Sequence, residues 1–252
     1  MEVMLLLIAH ILGDFIFQSS KIAKGKIKSL KYFLIHCLIY SVMIFFALIW
    51  FAPFDRVILI FISIVSLHAL IDRLHILIKR HKDKTDKKTN KRKRELSAFI
   101  IDQLLHFLII IIFGSFIQRV NGLGQLMIDY IGVNQLNKLL VVGLLYLLIT
   151  TPAAVIIRLI FSLFSIGDGD KKENEDLIKS GCLIGVLERF IMLTLGLSGQ
   201  IGAIGFVIAA KSLARFKQLD DKHFAEKYLV GTLLSVVIAL ICIVIGTYYI
   251  SL

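Results

Sequence analysis

Charge is scarce in this chain. Only 19% of its 252 residues are charged, while 58% are hydrophobic. Soluble globular domains carry about a quarter charged residues. The shortfall argues against an ordinary soluble domain, because the apolar residues gather in runs long enough to cross a bilayer, which takes about 20 residues as a helix. Proline is rarer still, with 2 residues, and Pro152 is expected to kink the helix that holds it. Cys37, Cys182 and Cys242 are odd in number, form no C-x-x-C pair and lie in or beside apolar runs. They read as small buried hydrophobes and leave the redox compartment open. The basic leader of a signal peptide is missing, and the first run carries His10 and Asp14. Residues 3–18 are therefore expected to form a retained first helix.

What is present is a series of eight apolar runs, near residues 3–18, 32–52, 57–78, 96–117, 139–164, 181–198, 200–216 and 228–250. They predict an all-α polytopic transmembrane bundle of about eight helices. The sixth and seventh runs are short and joined by Gly196 to Gln200, so they either span or form a re-entrant hairpin. The chain reads as two halves. Residues 1–117 form a four-helix half with a basic cytoplasmic loop at 79–95, and residues 118–252 form a C-terminal membrane half. Within the second, the stretch around Leu126–Ile131 is expected to be a short interfacial helix.

The formal charge is +11, but its distribution does not predict a nucleic-acid partner. Ten Lys/Arg lie between Lys79 and Arg94. The connections after the first, third, fifth and seventh runs hold 22 Lys/Arg, against 3 in the others. By the positive-inside rule the first set is cytoplasmic and both termini face away from the cytoplasm.

Against this apolar background, ionisable residues inside the runs are functional candidates by default. His10 and Asp14 lie on the first helix, His68 and Asp72 on the third, and Asp102 and His106 on the fourth. Each pair is four residues apart, which places both side chains on one helix face. His36 joins them from the second helix. Counted from the basic boundaries at about 1.5 Å per residue, Asp14, His36, Asp72 and Asp102 lie roughly 7–12 Å deep, and His10, His68 and His106 about one turn deeper. Helices of alternating direction thus bring four His and three Asp to two adjacent layers.

Imidazole and carboxylate together suit a divalent metal, zinc first and manganese or iron next. Seven ligands exceed one tetrahedral ion and suffice for two. The H-E-x-x-H signature of soluble zinc proteases is absent. Gln18 and Gln103 are placed either to orient ligands from behind or to make helix-end hydrogen bonds. His75 shares the face of His68 and Asp72 but lies one turn nearer the boundary, and reads as interfacial rather than as a ligand. In the C-terminal half, Arg158, Glu188, Arg189, Lys211 and Arg215 can reach a common depth. Glu188 could pair with Lys211 or Arg189 as a salt bridge. Alternatively, Lys211, Arg189 and Arg215 receive an anionic group such as a phosphate. Arg73 could serve either purpose.

Ala9-His10-Ile11-Leu12-Gly13-Asp14-Phe15, with Gln18 following, resembles the opening of a family of bacterial membrane proteins known as domain of unknown function 3307. Leu67 to Asp72, Asp102 to His106, Gly185 to Arg189 and Gly205 to Ser212 fit the same pattern, so the resemblance extends over nearly the whole chain. It implies a bacterial cytoplasmic membrane location and carries no activity. The His/Asp part is loosely similar to bacterial inner-membrane proteins described as predicted membrane-bound metal-dependent hydrolases.

These readings predict a membrane-embedded hydrolase with one or two divalent ions, acting near the cytoplasmic leaflet on an amphiphile such as a phosphate-bearing lipid. The competing expectations are a transporter of divalent cations or protons using the same residues, and a non-enzymatic membrane partner or sensor. The oligomeric state is left open.

Overall fold

Helix follows every apolar run. The computed structural model describes residues 1–52, 54–82, 88–117, 123–163 and 175–251. Among these, every regular element is helical. The centre of the basic loop (83–87) and the start of the polar stretch after the fourth run (118–122) lie outside the described residues.

The chain divides into two units, 1–144 and 145–252. This boundary lies beyond the expected one at 117/118, because the amphipathic helix Leu123–Ile131 packs against a helix of the first unit. The first unit opens with α1 (Glu2–Ile11), which runs on into a π-helical turn, Leu12–Ile16. A short helix α2 (Ser20–Gly25) follows, then α3 (Leu30–Phe51), α4 (Phe54–Lys82), α5 (Lys88–Ser115) and α6 (Leu123–Ile131). The chain passes into the second unit within α7 (Val133–Leu148). That unit continues with α8 (Thr151–Leu163), α9 (Glu175–Leu197), α10 (Ile201–Ala214), a 3-10 turn (Phe216–Gln218) and α11 (Lys222–Ser251).

Among the described residues, five helical stretches are long and apolar enough to cross a membrane: residues 30–50, 56–81, 92–115, 133–163 and 222–251. Their outward faces are apolar, with Leu34, Leu38, Leu59, Leu104 and Leu108 all exposed. A face of this kind suits lipid rather than water. At 14 residues α10 rises about 21 Å, less than the roughly 30 Å of a hydrocarbon core. It folds back on α9 through Gly199, whose φ of +76° is the left-handed conformation glycine adopts without a steric penalty.

In the first unit α1 packs on α3 and α5, and α4 packs on the same two, closing a four-helix ring. The ring has an apolar end and a polar end, continuous along each helix at four-residue spacing. Leu6 precedes His10, Tyr40, Ile44 and Leu48 follow His36, Ile60 and Ile64 precede His68, and Ile110 follows His106. All of these are buried. The same inward stripe that packs the core therefore carries the histidines into it.

In the second unit α9 packs on α8, α10 and α11. Its fifth apolar run is broken into two helices rather than kinked. Pro152, the second residue of α8, has no N–H with which to continue the α7 ladder.

Candidate metal centre

Asp14 is set by an irregularity in the backbone. The first helix widens over Leu12–Ile16, with Phe17 N–H donating to the Leu12 carbonyl at 2.8 Å, the i to i+5 bond of a π turn. Such turns are rare and occur frequently at functional sites. Gly13 lets the turn lie against α3, since a Cβ there would come within 3.2 Å of Tyr40 Cα. Asp14 thereby faces three imidazoles. One oxygen is 3.8 Å from His10 Nδ1, and the other is 3.7 Å from both His36 Nε2 and His68 Nε2.

Two overlapping ligand triads result. His10, Asp14 and His68 form one, and His36, His68 and Asp72 form the other, with the atoms of each triad within 4.8 Å of one another. His68 belongs to both. Five of the seven expected ligands are thus brought together. His106 stands beside them, its ring centroid 5.3 Å from that of His10 and 4.6 Å from that of His68. Its Nδ1 faces the Asp102 carbonyl at 2.8 Å, and its buried Nε2 has no partner. Asp102 belongs to neither triad: its Oδ1 meets His75 Nδ1 at 3.0 Å, and its Oδ2 lies 3.8 Å from His106 Nδ1. His75, expected to be interfacial rather than a ligand, is partly exposed, stands outside both triads and is the imidazole partner of the Asp102 carboxylate.

The two glutamines stand behind the ligands. Gln103 Oε1 is 3.3 Å from His10 Nε2, and its amide nitrogen donates to Asp102 Oδ2 at 3.1 Å. A proton on His10 Nε2 leaves Nδ1 bare towards Asp14, the tautomer a ligand requires. The Gln18 amide is satisfied at both ends when its nitrogen donates to the Asp14 carbonyl at 3.1 Å. Its oxygen then accepts from His36 Nδ1 at 2.8 Å and from Lys26 at 3.2 Å.

Lys26 is the participant that sequence reasoning missed, because it was counted among the topogenic charges of the first connection. Its ammonium donates to Asp72 Oδ2 at 2.8 Å and lies 3.4 Å from His36 Nε2. The loop that carries it is held by Arg80, which donates from Nε to the Ile27 carbonyl at 2.8 Å and also from Nη2. Burial opposes the charge of Lys26, but Asp72 and Asp14 outweigh it and hold its pKa above the ordinary lysine value. Tyr40 was missed as well. It stacks on His68 with ring centroids 3.5 Å apart.

The remaining candidates lie elsewhere. Arg73 sits over the ring of Phe33, 5.8 Å from its centroid. In the second unit Lys211 donates to Glu188 at 2.6 Å. Arg189 is buried and gives Nε to the Ile149 carbonyl at 2.6 Å and Nη2 to the Thr150 carbonyl at 3.3 Å, at the break between α7 and α8. Its donors serve the backbone of this unit, not an outside anion. Arg215 bonds Gln218 at 2.7 Å, and Arg158 is exposed.

The chain belongs to the family described as "Protein of unknown function (DUF3307)", which matches residues 3–132. The matched region contains all seven His/Asp candidates, Lys26 and both glutamines. The motifs at Gly185 to Arg189 and Gly205 to Ser212 fall outside it, so the family match is narrower than the expected near-whole-chain resemblance. No curated protein and no solved structure matches the chain.

Proposed function

We propose that this family member is a membrane-embedded metal-dependent hydrolase of the bacterial cytoplasmic membrane, acting on a phosphate-bearing amphiphile near the cytoplasmic leaflet. The observation that carries the reading is the convergence of His10, Asp14, His36, His68 and Asp72 in two triads, inside a ring of otherwise apolar helices. A buried group of this kind is costly unless it holds something. Three imidazoles and two carboxylates form a donor set suited to zinc, manganese or iron. A divalent ion bound there would supply a Lewis acid and an activated water.

The chain's own residues supply the rest. Gln103 and Gln18 fix imidazole tautomers. His75 and Asp102, joined to His10 through Gln103, form a hydrogen-bonded chain that holds the His10 ring in place from behind. Lys26 places a positive charge beside the centre, where a phosphate oxygen would be attracted. The basic connections would lie on the cytoplasmic side, with both termini opposite, in a bundle of about eight spans.

The test is release of inorganic phosphate from phosphatidate or a polyprenyl phosphate in mixed micelles, with protein loaded with zinc or manganese. Release that is lost in His68→Ala supports the hydrolase. A metal-loaded, folded protein that releases no phosphate but carries the ion across a liposome membrane would establish the transporter instead. One feature favours that second reading: the ligands are almost wholly withdrawn from solvent, and an ammonium already stands among them.

A further inference from the structure

The two triads are not equivalent, and Lys26 is what separates them. We infer that the centre takes a single divalent ion at His10, Asp14 and His68, with His106 placed to complete the set, and that Lys26 permanently fills the second position as a tethered cation. The inference rests on the metal-binding reading above and adds the number of ions, their place and the group that excludes another.

Hydrogen bonding makes the first distinction. Buried polar atoms are almost always partnered, and each exception calls for an explanation. His10 Nδ1, Asp14 Oδ1 and His106 Nε2 are buried without partners. The two imidazole nitrogens belong to the His10 side of the cluster, and Asp14 Oδ1 faces His36 and the shared His68. On the other side, His36 Nε2 and Asp72 Oδ2 both face the Lys26 ammonium, at 3.4 and 2.8 Å. One position thus lacks a cation that its neighbour already has.

Spacing makes the second. With ligand bonds of about 2.0–2.1 Å, neighbouring ligand atoms of a tetrahedral ion lie about 3.4 Å apart. Asp14 Oδ2 stands 3.8 Å from His10 Nδ1 and its Oδ1 3.7 Å from His68 Nε2, each a few tenths of an ångström wider than that spacing. His36 Nε2 lies only 2.9 Å from Asp72 Oδ2 and 3.2 Å from His68 Nε2, both shorter than that spacing, and the Lys26 ammonium already faces His36 Nε2 and Asp72 Oδ2.

Charge makes the third. Asp14, Asp72 and Asp102 bring three negative charges to the ring, and Lys26 one positive. With neutral imidazoles, one divalent ion brings the centre to neutrality. A second would leave two uncompensated positive charges among apolar helices, where charge is expensive.

The experiment is a zinc titration of purified, detergent-solubilised full-length protein, with bound metal counted by mass spectrometry after desalting. Wild type is expected to hold about one equivalent, and Lys26→Met about two. Asp14→Asn is expected to lose the ion, while Asp72→Asn keeps it within a few-fold of wild-type affinity. Two equivalents in wild type, or one in a folded Lys26→Met protein, would overturn the inference and leave the metal centre standing. Loss of the ion in Asp72→Asn would likewise place it at the wrong triad. If Lys26→Met does not fold, the wild-type count and the two aspartate variants still decide. No zinc in any folded form would overturn both this inference and the metal-dependent reading beneath it.

Discussion

Tyr40 lies flat on His68, ring centroids 3.5 Å apart and planes 5° from parallel. His68 is the imidazole common to both triads, so its orientation depends on a phenol ring one turn along α3 from His36. Tyr40→Ala should free the imidazole and weaken zinc binding about 10- to 100-fold, the usual effect of losing a group that orients a ligand. Tyr40→Phe, which keeps the ring, should bind within a few-fold of wild type. Competition against a zinc-sensitive dye would measure both.

Gly13 makes the π turn compatible with α3. In Gly13→Ala the new methyl would meet Tyr40 Cδ2 at 3.0 Å and Cα at 3.2 Å, so the turn must move outward and take Asp14 with it. The expected cost is about 1–3 kcal/mol of stability, as for other overpacked sites. Metal affinity should fall by more than the thermal midpoint alone suggests. Thermal unfolding in detergent, with and without zinc, separates the two effects.

Gln103 joins His10 to Asp102. Gln103→Leu keeps the bulk and breaks the link, leaving His10 free to carry its proton on Nδ1. Zinc affinity should drop about 10- to 100-fold with little change in helicity, measured by isothermal titration and circular dichroism.

Lys26 offers a pH test in the metal-free protein. Its pKa is raised in the folded state, so the stability it contributes is fully present below the unfolded value near 10.4. That contribution is lost only as pH rises through the higher folded value. The difference in unfolding midpoint between wild type and Lys26→Met should therefore be the same at pH 7 and pH 9, and shrink above pH 10. A difference that fades between pH 7 and pH 9 would contradict the Lys26–Asp72 pairing.

Arg189 tests the second unit independently. Arg189→Ala removes the donors to Ile149 and Thr150, each carbonyl left unpaired costing about 1–3 kcal/mol. Arg189→Lys should recover only part of this, because an ammonium cannot reproduce the planar fork of donors. The readout is again the thermal midpoint, with zinc binding unchanged in any variant that folds.

The helices and the ring of histidines were legible because both depend on periodicity. Apolar runs mark spans, and His68 and Asp72 at i,i+4 mark one face whatever the neighbours do. The partners within the ring were not legible. Lys26 reads as an ordinary topogenic lysine until the loop is seen folding back over Asp72. His75 reads as a boundary residue until Asp102 turns to meet it. Arg189, beside Glu188 in sequence, suggests an ion pair, yet Glu188 meets Lys211 while Arg189 reaches a helix break 40 residues away. Such pairings depend on side-chain direction across elements, which spacing along one helix does not specify.

The widened turn at Leu12–Ile16 makes the site sensitive to chain length as well as to composition. An ordinary α-helix would need one residue fewer to traverse the same stretch, and each residue turns the helix by about 100°. Deleting Phe15 alone would leave every ligand in the sequence, let the segment relax to a regular helix and rotate everything after it. Gln18 would swing from His36, and the loop bearing Lys26 would be drawn a step along the ring. The residues of this centre could thus all survive in a relative that had lost the register needed to assemble them.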